Sequence, residues 1–324
     1  RLDYSTGSEA FLLEPQSTNL VTQSEDFTQW NQAGVSVVSN SAISPDGTLN
    51  ADKITATTTD PAPFIFTNVT ATEHTFSFYY KGEANSIGKE ARVLFWFIGT
   101  ATGTTLSVPF TLTGDWQRFE SQITPTGAGT LAFRIDFPAN EAVVGDYGYL
   151  WGAQVEQQSY ATSYIPTSGA SATRNQELCN DATPVINSEE GTLYAEISAF
   201  ADEAVNRQIT LSDGNNNVIS FSYDGASNNT NATIKINGVV NRSFNYVLSD
   251  VTQFSKIAIR YSNTEFSFWV NGIERSVNTL ASSFTSETLN KLSFANSTNS
   301  QNFFGNIKGL KYYPKALADV QLQD

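Results

Sequence analysis

The sequence has very few residues of the types that transfer protons, bind transition metals or form disulfide bonds. It contains one cysteine, Cys179, and one histidine, His74, in 324 residues. A single cysteine excludes a disulfide bond within the chain, so the fold must be stabilised by burial of apolar surface. A single histidine excludes a metal site built from several imidazoles and argues against histidine-dependent acid–base catalysis. We expect His74, at the start of a predicted strand, to be solvated and inert.

Positive charge is also scarce, with 18 Lys and Arg against 32 Asp and Glu and a formal net charge of −14. Affinity for nucleic acid depends on Lys and Arg that neutralise phosphates, so this balance argues against a polynucleotide partner. It argues equally against an anionic membrane surface. No stretch approaches the roughly 18 consecutive apolar residues of a membrane span. The sequence therefore predicts neither a nucleic-acid partner nor membrane insertion.

The acidic residues are numerous, but they are not spaced for glycoside hydrolysis. That reaction needs two carboxyl groups on one face, where one protonates the leaving oxygen and the other attacks or activates water. Glu189 and Glu190 are adjacent, Glu265 stands alone, and Asp202 and Glu203 fall in a predicted loop. With one histidine there is no Ser/His/Asp arrangement either. We therefore expect a protein that is not an enzyme.

Aromatic and β-branched residues are abundant, with 22 Phe, 13 Tyr and 5 Trp. Such residues favour strands, and the many Asn and Gly residues supply turns. A chain of 324 residues is comfortable for two domains of about 150 residues each. The alternating pattern is lost at residues 173–187. We predict an all-β protein of two tandem antiparallel β-sandwich (jelly-roll) domains, residues 1–172 and 188–324, joined by a linker at 173–187.

Short runs of alternating apolar and polar residues follow one another through the first domain. They cover residues 35–40, 51–58, 64–71, 74–82, 92–99, 105–112, 116–123 and 130–137, and another run begins at residue 149. Many short strands without a helical period indicate a sandwich rather than a parallel α/β sheet. In the run 74–82, Phe76, Phe78 and Tyr80 alternate with Tyr79 and Lys81, so the two sets point to opposite faces. In the run 130–137 the predicted apolar face, opposite Arg134 and Asp136, consists of Leu131, Phe133, Ile135 and Phe137.

The polar and aromatic sides of three such strands predict one carbohydrate-binding face. Its members are Tyr79, Lys81, Arg92, Trp96, Arg134 and Asp136. Aromatic rings stack on the apolar face of a pyranose, and Arg, Lys and Asp can form hydrogen bonds with its hydroxyl groups. The alternative is that a loop covers this face and that Trp96 belongs to the core.

The other tryptophans of the first domain are expected to have mostly packing roles. Trp151 alternates in phase with Ala153 and Val155, which predicts that all three share one buried face. Trp116 begins a strand after a turn and is also expected to pack. Trp30 lies in a loop-like context and could either pack or bind.

The second domain shows the same strand pattern from residue 191 onward. Four dipeptides typical of tight hairpin turns separate its strands: Asp213-Gly214, Asp224-Gly225, Asn237-Gly238 and Asn271-Gly272. Such turns require φ > 0 at both central positions. Trp269 alternates with Phe268 and Val270, so it is predicted to point away from the core. There it could contact a carbohydrate or a neighbouring subunit.

Two parts of the sequence resemble known families. WGAQVEQQSYATSYIPTSGASATR (151–174), with the opening residues 1–30, resembles a segment of bacteriophage tail-fibre and other virion proteins that follows a carbohydrate-binding-module-like jelly roll. In that family other sequence usually precedes the Arg-Leu-Asp-Tyr element, so we expect Arg1 to be an internal position of a longer protein. FSFWVNGIER (266–275), with residues 303–324, resembles the closing strands of concanavalin-like, laminin-G-like jelly rolls. The positions that match the closing pattern are Gly305, Ile307, Leu310, Ala316, Leu317 and Leu322.

These resemblances imply a non-enzymatic bacteriophage virion protein, in a tail fibre or a surface decoration, that binds host-surface or environmental glycans. One alternative is a purely structural virion module that contacts neighbouring subunits; the other is a polysaccharide-degrading enzyme. The expected partners are a polysaccharide or other glycan, other virion proteins and further copies of this chain. The expected location is the particle surface, and outside the cell after release. Sugar-binding jelly rolls often carry a structural Ca²⁺ ion, but no Asp-x-Asp-x-Asp-Gly loop identifies its ligands here.

Overall fold

In a computed structural model the regular secondary structure of the chain is almost entirely β-strand, which confirms the predicted fold class. The structure describes residues 2–3, 9–139, 141–179, 183–203, 205–280 and 282–323. These residues fall into two units: residues 16–175, and residues 176–324 together with the N-terminal residues up to Pro15. Each unit is built from antiparallel sheets.

The strands of residues 16–175 are β3 (Ser17–Asn19), β4 (Asn31–Ala33), β5 (Val35–Ile43), β6 (Leu49–Ala56), β7 (Ala62–Val69), β8 (His74–Glu83), β9 (Glu90–Ile98), β10 (Leu106–Thr111), β11 (Gln117–Ile123), β12 (Gly129–Asp136), β13 (Tyr147–Glu156) and β14 (Ala172–Arg174). Two short 3-10 helices cover Phe27–Gln29 and Ala84–Ser86. The other unit contains β1 (Leu2–Asp3), β2 (Ala10–Leu13), β15 (Gly191–Ser198), β16 (Arg207–Ser212), β17 (Val218–Tyr223), β18 (Asn229–Ile236), β19 (Val239–Val247), β20 (Ser255–Tyr261), β21 (Glu265–Val270), β22 (Ile273–Thr279), β23 (Lys291–Ser293), β24 (Gly305–Tyr313) and the helix α1 (Asp319–Leu322).

Phenylalanine rings fill the space between the two main sheets of the first sandwich. One sheet has the strand order β10-β9-β12-β7-β4 and the other β11-β8-β13-β6-β5. The ring of Phe76 on β8 lies 4.9 Å from that of Phe133 on β12 and 6.2 Å from that of Phe95 on β9. All three residues are fully buried, and each such side chain stabilises the fold by about 1.5–3 kcal/mol. The inner faces predicted for β8 and β12 are thus confirmed.

Strand β13 departs from the predicted alternation at Gly152. Its register against β8 shifts directly after Trp151, and Gly152 has a φ of +66°, a conformation that favours glycine. The bulge leaves Trp151 on the outer face, 5.3 Å from the Tyr79 ring, while Ala153 and Val155 enter the core. The prediction that these three residues share one face is therefore wrong. Trp151 is nevertheless a packing residue, with 3% of its surface exposed.

A buried carboxylate holds the segment that follows β13. Glu156 is fully buried, and its oxygens accept hydrogen bonds from the side chains of Ser17, Gln154, Gln158 and Thr162 and from the backbone N–H of Thr162. A buried charge is tolerated when donors satisfy it in this way. The polar residues of this part of the virion-like segment therefore serve the fold.

The second sandwich packs a seven-stranded sheet on a five-stranded one. Their strand orders are β1-β2-β24-β15-β20-β21-β22 and β19-β18-β17-β16-β23. The core between them contains Phe221, Phe266 and Phe268, all fully buried. Outward-facing positions of β17 are small and polar, as at Ser220 and Ser222.

The first described strands pair within the second sandwich and not within the first. In β2, Phe11 is paired with Ile307 and Leu13 with Gly305 of β24. Leu13 is 2% exposed and belongs to the second core. The prediction that the first domain begins at residue 1 is therefore wrong for this strand. A short apolar run indicates a strand, but it does not indicate which sheet the strand joins.

Two of the four predicted hairpins have the expected turn geometry. In Asn237-Gly238 and Asn271-Gly272 both residues have positive φ, at 52° and 82° and at 51° and 74°. Asp213 and Asp224 instead begin longer loops, because each carboxylate accepts a hydrogen bond from the backbone N–H two residues further on. An Asx turn of this kind replaces the two-residue turn.

The stability of the first sandwich should depend on the ionisation of Asp52. This residue is 1% exposed, and burial raises its pKa from 3.8 to about 6 although two backbone N–H groups bind it. Because the folded pKa lies above the unfolded value, the stabilisation is full below about pH 4 and is lost as the pH rises through about 6. We expect Asp52→Asn to remove this dependence. The measured quantity is the free energy of unfolding of the native chain minus that of the variant, obtained by urea denaturation. This difference should fall by up to about 3 kcal/mol as the pH rises from 4 to 7.

His74 also titrates in this range, with the opposite sign. Contrary to the prediction, it is fully buried, its Nδ1 lies 2.8 Å from the carbonyl oxygen of Thr72, and burial lowers its pKa. Protonation of the unfolded chain below its ordinary pKa of 6.5 therefore opposes folding. This contribution is common to the native chain and the Asp52 variant and cancels in their difference. A difference that does not change with pH would contradict the role given to Asp52.

Glu156→Gln should destabilise the first sandwich, because an amide nitrogen would face donors that now bind a carboxylate oxygen. We expect the free energy of unfolding to fall by about 1–3 kcal/mol, measured by chemical denaturation at pH 7. Glu73→Gln, at an exposed position, is the matched control and should change it little. Equal effects of the two variants would disprove the role of Glu156 as an organising group.

Candidate functional site

The structure divides the six predicted residues of the first sandwich between its two sheets. Four lie on β9 and β12, which are neighbours in one sheet, and two lie on β8 of the other. These are Arg92, Trp96, Arg134 and Asp136 on the first sheet, and Tyr79 and Lys81 on the second. All six alternate with core residues, so the two groups lie on opposite outer faces of the sandwich. The prediction of one common face is wrong because alternation within a strand does not reveal which strands are neighbours.

The larger group continues into an aromatic surface that the sequence analysis missed. Phe64 and Phe66 of β7 share its face, since they are paired with Arg134 and Ala132 of β12. The Phe64 ring lies 5.6 Å from that of Trp96 and 5.4 Å from that of Phe66. Phe66 is 46% exposed, and the other two rings are half-buried. We call Phe64, Phe66 and Trp96 the aromatic face.

A signal for this surface was present in the sequence but ambiguous. Phe64 and Phe66 alternate with Ile65 and Thr67 in β7. One set contains Phe64 and Phe66 and the other contains Ile65, so both sets include large apolar residues. Alternation alone therefore does not decide which set is buried. The structure places Ile65 in the core at 9% exposure and leaves the two phenylalanines outside.

Two guanidinium groups are held beside the aromatic face by one carboxylate. Asp136 is 1% exposed and accepts hydrogen bonds from Nε of Arg92, at 2.6 Å, and from Nε of Arg134. Arg134 also donates from Nη2 to Asp60. Asp136 is therefore an anchor for the two arginines and does not itself face a ligand. The Arg92 side chain is 35% exposed.

The two predicted residues on β8 are engaged by protein groups. The Tyr79 ring lies 5.3 Å from that of Trp151, and the Arg118 guanidinium lies 5.5 Å from its centroid. Lys81 forms an ion pair of 3.1 Å with Glu83. We leave both residues out of the candidate site, and their contact with a carbohydrate stays a prediction.

Trp269, the candidate residue of the second sandwich, is 3% exposed. It points away from the main core as predicted, but it packs with Ala258, Leu317 and Leu322 in a separate apolar cluster. Its Nε1–H donates to Oγ of Ser267 at 3.0 Å. The prediction of an exposed Trp269 is wrong because the C-terminal segment with α1 covers this face of the sheet.

The remaining tryptophans have packing roles. Trp30, which the sequence left open, is 3% exposed. Its ring lies 4.6 Å from that of Phe27, and its Nε1–H donates to the carbonyl oxygen of Gln23 at 2.9 Å. Trp116 is half-buried and donates to the carbonyl oxygen of Ile43 at 3.0 Å.

The described residues contain no group of three or more His, Cys, Asp or Glu side chains that could hold a metal ion. Acidic side chains in the loops bind their own turns, as Asp46 does with Ser44 and Thr48. A structural Ca²⁺ ion therefore stays a prediction. None of the helices in the described part of the chain has the length and apolar character needed to cross a membrane.

Comparison with known proteins gives a match to one of the two units. A family model described as the concanavalin A-like lectin/glucanases superfamily matches residues 167–323. No curated protein matches the sequence.

Two of the similar solved structures are a bacterial and an animal protein. The CBM40 module of the Ruminococcus gnavus IT-sialidase, bound to α2,3-sialyllactose, is 13% identical over 42% of this chain and 81% of that chain, with a TM-score of 0.36. Domains LG4-5 of the mouse laminin α1 chain are 12% identical over 95% of this chain and 92% of that chain, with a TM-score of 0.32. The family match covers residues 167–323, the part of the chain whose closing strands resemble concanavalin-like, laminin-G-like jelly rolls.

Proposed function

We propose that this protein is a non-enzymatic glycan-binding protein and that its first sandwich binds sugar at the aromatic face. The observation that carries the proposal is the set of three adjacent rings, Phe64, Phe66 and Trp96, on the outside of a sheet. The Arg92 guanidinium lies on the same face. Aromatic rings stack against the apolar C–H surface of a pyranose, and guanidinium groups donate to its oxygens.

The shape of this face favours a polymer over a chain end. Ala132 of β12 is paired with Trp96 on one side and with Phe66 on the other. Ala132 is fully buried, and the Phe64 ring lies 5.6 Å from that of Trp96 and 5.4 Å from that of Phe66. The three rings therefore form one continuous patch about two strands wide, roughly 10 Å. A surface patch of this kind can contact several successive sugar units, so it suits the interior of a polysaccharide.

The binding at one such face is expected to be weak. Stacking one sugar ring on an aromatic side chain buries apolar surface that contributes about 1–3 kcal/mol at 25 cal/mol per Å². Useful affinity then requires many copies that act together. We accordingly propose a tail-fibre or surface-decoration protein of a bacteriophage particle, which presents many copies to a host-surface or environmental glycan. The support for the particle is the resemblance of residues 151–174 to virion proteins.

The apolar character of the same face favours a second function. Phe66 is 46% exposed beside Trp96, and exposed apolar patches of this kind also form contacts between subunits. In that case the sandwich is a structural module, and a neighbouring subunit covers the aromatic face.

Substitution of the aromatic face should reduce polysaccharide binding without unfolding the sandwich. We expect Phe66→Ala and Trp96→Ala each to weaken binding by about tenfold or more, which corresponds to about 1.4 kcal/mol. Affinity electrophoresis in gels that contain capsular or algal polysaccharides measures the loss. Phe66→Ala is the cleaner variant because its ring is the more exposed. Lys81→Gln, on the opposite outer face, is the matched control and should bind as the native chain does.

Three results would oppose this function. If none of the polysaccharides binds and Phe66→Ala reduces self-association in sedimentation experiments, the structural role is correct. If Lys81→Gln weakens binding and the aromatic substitutions do not, the site lies on the other outer face. If the native chain releases reducing sugars and one carboxylate substitution abolishes this activity, the protein is an enzyme.

A further inference from the structure

The five-stranded sheet of the second sandwich ends in a long strand that has a neighbour on one side only. This strand is β19, which is paired with β18. Just beyond it, the backbone N–H of Leu248 donates to the carbonyl oxygen of Asn228 at 2.7 Å. Because the backbone groups of a strand point alternately to its two sides, those of Ser243, Asn245 and Val247 point away from β18. In the described part of the chain these outward groups have no hydrogen-bond partner.

A free edge is normally protected by charge, proline, irregular pairing or short length, because its backbone groups can pair with another chain. In the described part of the chain the other end strands have such protection. β10 contains Pro109, β11 carries Arg118 and Glu120, and β22 carries Glu274 and Arg275. The pairing of β5 is irregular, and β1, β3, β4, β14 and β23 have only two or three residues each. The three outward residues of β19 are exposed and uncharged.

The first half of β19 is engaged by other parts of the chain. The pairing with β18 shifts register before Arg242 and leaves Asn241 without a paired residue. Oγ of Ser282 donates to Oδ1 of Asn241 at 3.1 Å. Arg242, the one charged residue of β19, donates from Nη2 to the carbonyl oxygen of Thr279 at 2.8 Å. The part of the strand that is both regular and free is therefore residues 243–247, which we call the open edge.

The open edge matches a second copy of itself in antiparallel orientation. With a two-fold axis at Asn245, the two copies of this residue are paired with each other and Ser243 is paired with Val247. Phe244 and Tyr246 then form an aromatic pair across the two copies, which stabilises a sheet. No charged residue lies opposite another. The three hydrogen-bonded pairs exchange about six backbone hydrogen bonds.

The two aromatic residues of the open edge are already held in place by the facing sheet. The Phe244 ring is stacked on that of Phe266, with 5.5 Å between the centroids. The Arg275 guanidinium lies 4.2 Å from the centroid of the Tyr246 ring. A strand that is ordered before it pairs loses less conformational freedom on association.

We infer that two copies of this chain associate by antiparallel pairing of their β19 strands, with the two-fold axis at Asn245. The five-stranded sheets of the two copies then form one continuous sheet. Pairing of one strand covers less surface than a permanent dimer needs, so the dimer dissociates on dilution. The open edge is separate from the aromatic face, and the inference does not depend on the function proposed for that face.

Sedimentation velocity of the full chain in a dilution series tests the association. We expect the native chain to show a monomer–dimer equilibrium. Asn245→Lys should raise the dissociation constant of the dimer at least about tenfold, because it places two ammonium groups opposite each other at the axis. Asn245 is exposed, so the melting temperature should stay unchanged. Val277→Lys, at a residue of β22 that is 46% exposed, is the matched control and should leave the equilibrium as it is.

Disulfide trapping in a Cys179→Ser background tests the register. Asn245→Cys should give a covalent dimer with oxidised glutathione, because paired residues of this kind have Cα atoms about 5.5 Å apart, within the reach of a disulfide bond. Ser243→Cys should not, because its two copies would be more than about 13 Å apart.

Four results would overturn the inference. They are a native chain that stays monomeric at every concentration, a dimer that Asn245→Lys does not weaken, a dimer that Val277→Lys weakens equally, and cross-linking of Ser243→Cys in preference to Asn245→Cys. If Phe66→Ala dissociates the dimer and Asn245→Lys does not, the copies meet at the aromatic face instead. If Asn245→Lys lowers the melting temperature, the Asn245→Cys cross-link decides.

Discussion

Burial of apolar side chains between two sheets stabilises each unit, and with one cysteine no disulfide bond within the chain can replace it. In the first sandwich the rings of Phe76 and Phe133 meet across the interior, and in the second Phe221 and Phe268 are buried in the same way. Packing of this kind occupies the inner faces completely, because protein interiors are as dense as crystals of small molecules. Any ligand must therefore bind at an outer face, a rim or a loop. What covers each outer face then decides its role.

Three outer surfaces differ in how far other parts of the chain cover them. The segment after β13 lies against Trp151, whose ring is 4.5 Å from that of Tyr164. The C-terminal segment covers Trp269 but leaves a cleft beside it. At the aromatic face Phe66 keeps nearly half of its surface exposed. Similar sequence patterns, with an aromatic residue opposite a buried set, thus lead to a packed ring, a lined cleft and a partly exposed patch of rings.

Local pattern predicted the inner faces of β8 and β12 and the outward direction of Trp96 and Trp269, because a strand repeats every two residues. It failed where the answer depends on distant parts of the chain. Tyr79 and Trp96 lie on different sheets, since the strand order is set by the whole fold. The bulge at Gly152 changes the face to which the following side chains of β13 point. The exposure of Trp269 depends on residues that follow it by about 50 positions, which no local pattern contains.

The pairing of β2 with β24 makes the first sandwich an insertion within the second. The chain contributes β1 and β2 to the seven-stranded sheet, builds residues 16–175, and only then supplies the other five strands of that sheet. During synthesis the first sandwich is complete before β24 exists, so the inserted unit can fold before the second unit has all of its strands. A fragment that begins at residue 176 would lack β2 and expose the edge of β24, whose unpaired backbone groups invite pairing with another chain. The two units can therefore not be separated by one cut without damage to the second.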